Sequence, residues 1–328
     1  MKRKMLLTAL VLASSLLAGC TRADEAVVDK IGVSVENINV NNYFVKGVNV
    51  QTFEDIPQRV VVVGENETET LLALGLEKQI MLAVAQNGRK YAMRPENREK
   101  FLTLKKSTSG YLNMEYITSL HPDLIVAQQC VFIKNRLNNT DYWNKRRVKT
   151  MIPLNTNTPS KHLIKETVDK EMQFIKDLGK AFRVEEKAEK IVANTYGTIN
   201  KINKAVENQQ KPKVMIVEFL SSMICYDRTK LVGNMVASIG GYVEEAPAVI
   251  GFENIIKQNP DVLFVVCSHV DYGDCIDKIT QNPAMRKLQC VKNKRVYSIP
   301  LRFTYGTGCR TEDGLRYLAE KMYPSVQF

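Results

Sequence analysis

The stretch NMEYITSLHPDLIV at residues 113–126 decides the fold, because GFENIIKQNPDVLFV at residues 251–265 repeats its plan. In each copy a glutamate, Glu115 or Glu253, stands seven residues before a Pro-Asp pair, and an apolar run follows. Proline cannot donate a hydrogen bond into a continuing helix, so each copy predicts a short helix, a turn and a strand buried on both faces. A unit present in both halves of the chain predicts two similar lobes.

Strand and helix patterns alternate on either side of both copies. The predicted strands comprise residues 59–63, 80–85, 124–127, 149–154, 214–219, 262–267 and 295–299. The other predicted helices comprise residues 68–74, about 132–146, 231–239 and 311–322, the last with Thr311 as its N-cap. This alternation predicts an α/β fold with two similar lobes, each a mainly parallel sheet flanked by helices.

The segment between the lobes is predicted to be helical. Residues 160–208 contain no proline and no strand pattern, and Gly179 is expected to break or kink them. This leaves a long rigid helix from about Val184 to Val206, spanning more than about 30 Å, which is enough to join two lobes. The predicted boundaries are an N-terminal lobe at residues 57–158, a bridging segment at 159–210 and a C-terminal lobe at 211–328.

The N-terminus predicts export. A basic start and an apolar stretch lead to Leu-Ala-Gly-Cys, and the stretch is shorter than the about 20 apolar residues of a membrane span. Residues 1–19 therefore indicate a cleaved signal peptide. The small residues before Cys20 resemble the lipobox of bacterial lipoproteins, which implies a lipidated Cys20 and a membrane-anchored location in the envelope, facing the periplasm or exterior. An ordinary signal peptide is the alternative. Residues 20–56, polar and weakly patterned, are predicted to form a flexible tether.

The charge of the chain leaves its partner open. Loss of the three basic residues of the signal lowers the formal net charge from +11 to +8. This excess suits an anionic ligand or membrane surface as well as it suits general solubility. No segment resembles a nucleic-acid-binding module.

Four phrases make the chain resemble the substrate-binding lipoproteins of ABC importers that bind ferric siderophores, haem or cobalamin. They are RVVVVGENETETLLALGL (59–76), NMEYITSLHPDLIVA (113–127), FENIIKQNPDVLFVV (252–266) and NPAMRKLQCVKNKRVYSIP (282–300). The resemblance implies capture of an iron-siderophore, haem or corrinoid in a cleft between the lobes, and delivery to an ABC permease dimer with its ATPase. It also implies a monomer with no intrinsic cofactor and no enzymatic activity.

The family implies a role for the repeated glutamate. In its members one glutamate on each lobe pairs with arginines of the permease, which assigns permease docking to Glu115 and Glu253. The alternative is local, because a glutamate in the first turn of a helix interacts favourably with the helix dipole. Asn113 and Gly251, two positions earlier, are ordinary N-cap residues.

The ligand is expected where loops follow the carboxyl ends of the strands. These loops contain the predicted ligand-binding residues Arg89, Tyr91, Tyr226, Arg228, Tyr272, Arg302, Tyr305 and Arg310. Aromatic faces and guanidinium groups suit a large, flat or anionic ligand. Tyr226, Tyr305 or His269 could also serve as an axial ligand of haem iron.

Other classes of protein stay open. A bare transition-metal-binding lipoprotein of an ABC importer needs convergent imidazoles and carboxylates, and only His269 falls on a predicted cleft loop. His121 precedes a strand and His162 opens the bridging segment. An exported enzyme is disfavoured because the chain lacks G-x-S-x-G, H-E-x-x-H, Walker and dinucleotide-binding motifs. A surface adhesin or scaffold is disfavoured because two lobes imply a cleft.

Six cysteines follow Cys20, at positions 130, 225, 267, 275, 290 and 309. Export permits disulfides, six cysteines allow fifteen connectivities, and reduced thiols are equally admissible. Cys267 with Cys275 is the favoured pairing. The sequence has no C-x-x-C pair, so it supports neither a zinc nor a redox motif.

Overall fold

A two-stranded hairpin comes before both lobes. The computed structural model describes residues 32–85, 93–110, 112–155, 165–267 and 272–328, although not the side chains of residues 272–274. Strand β1 (Val33–Asn41) pairs antiparallel with β2 (Phe44–Phe53). The prediction of a flexible tether at residues 20–56 is therefore wrong for the residues of β1 and β2, which form this hairpin. The signal peptide and Cys20 lie outside the described residues.

The hairpin packs on the first lobe through β1. Ile38 and Val40 are buried in the apolar core of that lobe. The buried Asn37 donates from Nδ2 to Thr150 Oγ1 at 3.1 Å, and its Oδ1 accepts a hydrogen bond from the Ile152 amide at 3.1 Å. A polar side chain thus makes a buried tertiary contact, which composition alone does not indicate.

The N-terminal lobe contains a five-stranded sheet in which every pair is parallel. Its strands are β3 (Val60–Val63), β4 (Ile80–Val84), β5 (Ser107–Thr108), β6 (Leu124–Ala127) and β7 (Lys149–Met151). Its helices are α1 (Glu65–Ala73), α2 (Pro95–Leu102), α3 (Met114–Ser119) and α4 (Thr140–Asn144). The strand order is β5-β4-β3-β6-β7, and β3 and β6 are buried along their whole length.

The helix predicted at about 132–146 is wrong for most of its length, because only α4 forms there. Asn138 adopts a left-handed backbone conformation, with φ of 58°, which ends any helix before it. Asn139 then caps α4 by accepting a hydrogen bond from the Tyr142 amide at 2.7 Å. Phe132 and Leu137 are buried outside regular structure, so their apolar spacing reflects the core and not a helix.

Two helices connect the lobes, α5 (Val168–Phe182) and α6 (Glu185–Ala205), and they pack against each other. The long helix predicted from about Val184 to Val206 is confirmed as α6, but it is preceded by α5 and is not a single connecting helix. The break predicted at Gly179 lies instead at Arg183, whose φ is 55°. Gly179 stays helical, and a Cβ added to it would lie 2.6 Å from the Ala188 side chain. The glycine therefore permits close packing of the two helices.

The C-terminal lobe repeats the plan with one reversal. Its strands are β8 (Val214–Phe219), β9 (Met223–Cys225), β10 (Val249–Ile250), β11 (Val262–Cys267) and β12 (Val296–Pro300). Its helices are α7 (Leu231–Ser238), α8 (Phe252–Gln258), α9 (Tyr272–Thr280), α10 (Gln289–Lys292) and α11 (Thr311–Met322). The strand order is β10-β9-β8-β11-β12, and β9 runs antiparallel to both of its neighbours.

One apolar core runs through both lobes. It joins Val62 of the first sheet to Phe264 of the second through α1, α5 and α11, with Leu71, Ile175 and Leu315 all fully buried. The predicted α/β fold with two mainly parallel sheets is confirmed. The lobes, however, are not held apart by their connecting helices, because α5 forms part of the core that they share.

Replacing Asn37 with alanine should lower the free energy of unfolding by about 1–3 kcal/mol, because the Ile152 amide and the Thr150 hydroxyl lose a buried partner. Urea unfolding measures the change. Ser34→Ala is the control, since the Ser34 hydroxyl contacts Thr52 at the exposed edge of the hairpin. A stability of Asn37→Ala equal to that of the parent would mean that the hairpin is not part of the cooperative fold.

Candidate functional site

A pocket of about 200 Å³ lies between the lobes, at the carboxyl ends of β3, β6 and β12. It is lined by Glu65, Asn66, Glu67, Gln128, Leu301, Arg302 and Tyr305. The first four belong to the N-terminal lobe and the last three to the C-terminal lobe. The loops that follow parallel strands are the usual place for a ligand in an α/β protein. We call this space the interlobe pocket.

Glu67 forms the buried part of the interlobe pocket, with only 3% of its surface exposed. Gln128 donates from Nε2 to Glu67 Oε1 at 2.8 Å. The other oxygen, Oε2, is buried and has no hydrogen-bond partner among the described residues. Burial raises the pKa of Glu67 to about 8, with smaller contributions from Glu171 and Glu65, while the Gln128 hydrogen bond opposes the shift.

Two of the predicted ligand-binding residues, Arg302 and Tyr305, line the interlobe pocket. The Tyr305 hydroxyl accepts a hydrogen bond from Gln129 Nε2 at 3.2 Å, and burial raises the pKa of Tyr305. The Arg302 guanidinium lies 5.0 Å from the centre of the Phe303 ring. Arg302 therefore places its guanidinium near an aromatic ring, and the Tyr305 hydroxyl contacts a side-chain amide.

The structure places three other predicted residues away from the pocket lining. Tyr226 is buried and donates to Glu218 Oε2 at 2.6 Å, and Arg228 is exposed and pairs with Glu245. Arg310 is buried between the lobes, which corrects the expectation that it lies open in the cleft.

Several further predicted residues fall outside the described part of the chain. They are Arg89, Tyr91, His162, His269 and the side chain of Tyr272. His121 is exposed just before β6, at the end of the sheet opposite the carboxyl ends of the strands.

Arg310 belongs to an ion cluster that joins the lobes. Its Nη1 lies 3.0 Å from Glu69 Oε2, and its Nε donates to Asp313 Oδ2. Arg94 donates to Asp313 Oδ1 at 2.7 Å, and the Arg94 amide donates to Glu69 Oε1 at 2.8 Å. Burial alone would raise the pKa of Asp313, but the two guanidinium groups outweigh it and lower that pKa. We call Arg94, Glu69, Arg310 and Asp313 the interlobe ion cluster.

The loop before α11 docks on α1 beside this cluster. Asn66 Nδ2 donates to the Gly306 carbonyl at 2.9 Å, and Thr70 Oγ1 accepts from the Cys309 amide at 3.1 Å. Gly306 and Gly308 both have φ of 50°, and a Cβ on Gly308 would overlap Thr70 Oγ1. The glycines therefore allow the loop to approach the helix closely.

Thr311 does not cap α11 as predicted. It is the first residue of the helix and follows Arg310 in the N-cap position. Its hydroxyl donates instead to the Gly308 carbonyl at 2.7 Å and helps to hold the glycine loop.

Glu115 and Glu253 occupy equivalent exposed positions in the two lobes. Each lies in the first turn of a short helix, α3 or α8, that leads into β6 or β11. The predicted caps are confirmed, because Asn113 Oδ1 accepts from the Tyr116 amide at 3.0 Å and Gly251 stands in the N-cap position of α8. The docking role stays a prediction.

The cysteines fall into two groups. Cys267 and Cys275 form a disulfide, as predicted, while Cys130, Cys225, Cys290 and Cys309 are free thiols. Among the residues that the structure describes, no three His, Cys, Asp or Glu side chains are grouped so that they could hold a metal ion. No helix of this described part has the length and apolarity to cross a membrane.

Sequence reasoning missed Glu67, Gln128 and Asn66, although it placed their loops at the cleft. A polar residue directly after a buried strand was the available signal. It could not distinguish Glu67, which is buried, from Glu65, which is more exposed on the same helical turn.

Glu69→Ala should destabilise the protein by about 3–5 kcal/mol, because it leaves the buried Arg310 guanidinium without one of its carboxylates. The control is Glu189→Ala, which breaks an exposed pair with Lys176 and should cost about 0–1 kcal/mol. Urea unfolding compares the two variants. Equal losses would show that the interlobe ion cluster contributes no more than a surface ion pair.

The chain is similar to known proteins in sequence and in fold. Over 99% of its length the chain is 22% identical to the uncharacterized ABC transporter substrate-binding lipoprotein YvrC of Bacillus subtilis, of which 98% is covered. A periplasmic binding protein from Veillonella parvula superposes with a TM-score of 0.79 and 25% identity, over 90% of this chain and 92% of the other.

A structure from Saccharomonospora viridis, described as an ABC-type Fe³⁺-hydroxamate transport system, gives a TM-score of 0.67 at 18% identity. The match spans 87% of this chain and 98% of that one. The pattern of a family described as periplasmic binding protein matches residues 60–302. The resemblance predicted from the sequence is thereby confirmed, together with a binding function in place of an enzymatic one. The chain belongs to the periplasmic binding protein family.

Proposed function

We propose that this chain is the extracytoplasmic substrate-binding component of an ABC importer, and that it captures a metal chelate in the interlobe pocket. The observation that carries the proposal is the pocket itself, formed where the carboxyl ends of strands from both lobes meet. Delivery to a permease dimer with its ATPase, and anchoring through a lipidated Cys20, belong to the same proposal. The relative from Bacillus subtilis, named as a substrate-binding lipoprotein, supports it.

The polar groups of the pocket favour an oxygen-rich, anionic ligand. Arg302 contributes a guanidinium, and Gln128 and Tyr305 contribute an amide and a hydroxyl. Such groups bind carboxylate, hydroxamate or catecholate oxygens through hydrogen bonds. A ferric siderophore therefore suits the pocket best. Haem, whose propionates are anionic, and a corrinoid are the alternative ligands.

Thermal unfolding in the presence of a panel of compounds should identify the ligand class. The panel contains a ferric catecholate chelate, a ferric hydroxamate chelate, ferric citrate, hemin, cyanocobalamin and Ni²⁺. A ferric chelate should raise the melting temperature without being consumed, since a ligand at 100 times its Kd stabilises the folded state by about 2.7 kcal/mol.

The matched variants for this experiment are Arg302→Ala and Arg286→Ala. Arg302 lines the pocket, whereas Arg286 is exposed outside it. We expect about tenfold weaker binding for Arg302→Ala and unchanged binding for Arg286→Ala. Stabilisation by Ni²⁺ alone would favour the bare-metal alternative, and turnover of any compound would refute the proposal.

Glu115→Ala combined with Glu253→Ala should abolish uptake of the ligand by cells, while the purified variant still binds it. Exposed ion pairs contribute only about 0–1 kcal/mol each, so these carboxylates would orient the protein on the permease more than hold it there. Glu99→Ala with Glu186→Ala is the control, since both carboxylates are exposed on other helices. Normal uptake by the first double variant, or loss of its ligand binding, would contradict docking.

A further inference from the structure

Glu67 carries the further inference, because its carboxyl group is buried at the pocket with one oxygen lacking a partner among the described residues. An unpaired buried carboxylate oxygen is costly, and proteins rarely keep one without a reason. The neighbouring Glu69, two residues along the same helix, has its oxygens bound by Arg310 and Arg94. Glu67 has no such cation among its described contacts.

Two glycines, one from each lobe, make room for the Glu67 carboxyl group because they have no Cβ. Gly64, with φ of 120°, lies against Oε2, so that an added Cβ would overlap this oxygen. Across the interface, a Cβ on Gly306 would lie 2.7 Å from Gln128 Nε2 and 3.6 Å from Glu67 Oε1. The pair formed by Glu67 and Gln128 is therefore fitted closely between the lobes.

The two oxygens of Glu67 have different surroundings. Gln128 donates to Oε1, so a proton on this carboxyl group would be placed on Oε2, the oxygen without a partner among the described residues. The ionisable groups nearby are Glu65 on α1, Glu171 on α5, Cys130 after β6, and Arg302 and Tyr305 of the other lobe. Burial, which dominates, and the two glutamates favour the neutral acid, so that the pKa rises to about 8.

We propose that Glu67 recognises the ligand as a neutral carboxylic acid, with its Oε2–H donating a hydrogen bond to an anionic oxygen of the bound chelate. This inference rests on the proposed function and names the class of ligand: an oxygen-rich anion. A neutral Glu67 adds no negative charge to a pocket lining that already includes the Glu65 carboxyl group and the Arg302 guanidinium. An ionised Glu67 would repel the anion and would select a cationic ligand instead.

The protonation state is tested first without any ligand, by urea unfolding of the parent, Glu67→Gln and Glu186→Gln from pH 5 to 9. The folded protein holds the Glu67 proton up to about pH 8, while the unfolded chain releases it near 4.5. Stability is therefore lost as the pH rises between these values. Relative to Glu67→Gln, the unfolding equilibrium constant of the parent should increase about tenfold per pH unit. Glu186→Gln, an exposed control, should follow the parent.

Ligand recognition is tested next with a ferric catecholate chelate, whose Kd is measured by calorimetry from pH 6.5 to 9.5. The parent should lose affinity about tenfold per pH unit above pH 8, because only the protonated acid donates. Glu67→Gln keeps a donor and should bind without this loss, and Glu67→Ala should bind about tenfold more weakly at pH 7. Comparison of variants at each pH cancels the titration of the chelate itself.

The outcomes separate this inference from the proposed function. If the difference in the free energy of unfolding between the parent and Glu67→Gln does not change with pH, Glu67 is not a neutral acid in the folded protein. This conclusion does not depend on the binding data. Tighter binding as the pH rises through 8, or equal binding by Glu67→Ala, would overturn its role in recognition. If the parent binds no compound of the panel at any pH, both the proposed function and the recognition role of Glu67 are wrong. The unfolding data would still show whether Glu67 is protonated in the folded protein.

Discussion

The buried guanidinium of Arg310 is the interaction on which the arrangement of the two lobes depends. It lies between Glu69 of the first lobe and Asp313 of α11, and Arg94 completes the interlobe ion cluster. Removing charged groups from water is costly, so such a cluster is tolerated only when each charge is paired and hydrogen-bonded. A relative movement of the lobes would break the pairs that cross between them, Arg310 with Glu69 and Arg94 with Asp313, and the cluster therefore specifies one register of α11 against α1.

That register also builds the interlobe pocket. The glycine loop at residues 306–308 follows the pocket residues Arg302 and Tyr305 and docks on α1 through Asn66 and Thr70. The same few residues thus fix the lobes and shape the space between them. The shared apolar core of α1, α5 and α11 lies behind this polar contact and makes the site part of the cooperative fold.

Helix α1 carries two buried glutamates with different roles. Glu67 and Glu69 are both buried, and they differ in the side chains that contact their carboxyl groups. Arg310 meets Glu69, whereas the Gln128 amide meets Glu67, whose pKa rises to about 8 because burial goes uncompensated by a cation. One carboxyl group holds the structure together, and the other is available for recognition.

The sequence by itself determined the local elements. The buried runs of β3, β6, β8 and β11, the duplicated helix and turn before β6 and β11, and the caps at Asn113 and Gly251 follow from periodicity and from backbone preferences that act within a few residues. The Cys267–Cys275 pairing, eight residues apart, was also predictable.

Only the tertiary structure decided which polar residues are buried and against what. The hairpin packs through Asn37, and Phe132 and Leu137 fill a core without forming a helix. Arg310 leaves the expected cleft for an ion cluster, and Glu67 becomes the buried acid of the interlobe pocket. The physical reason is that a polar side chain has no intrinsic preference for burial. Partners from distant parts of the chain determine where it lies and whether it is charged.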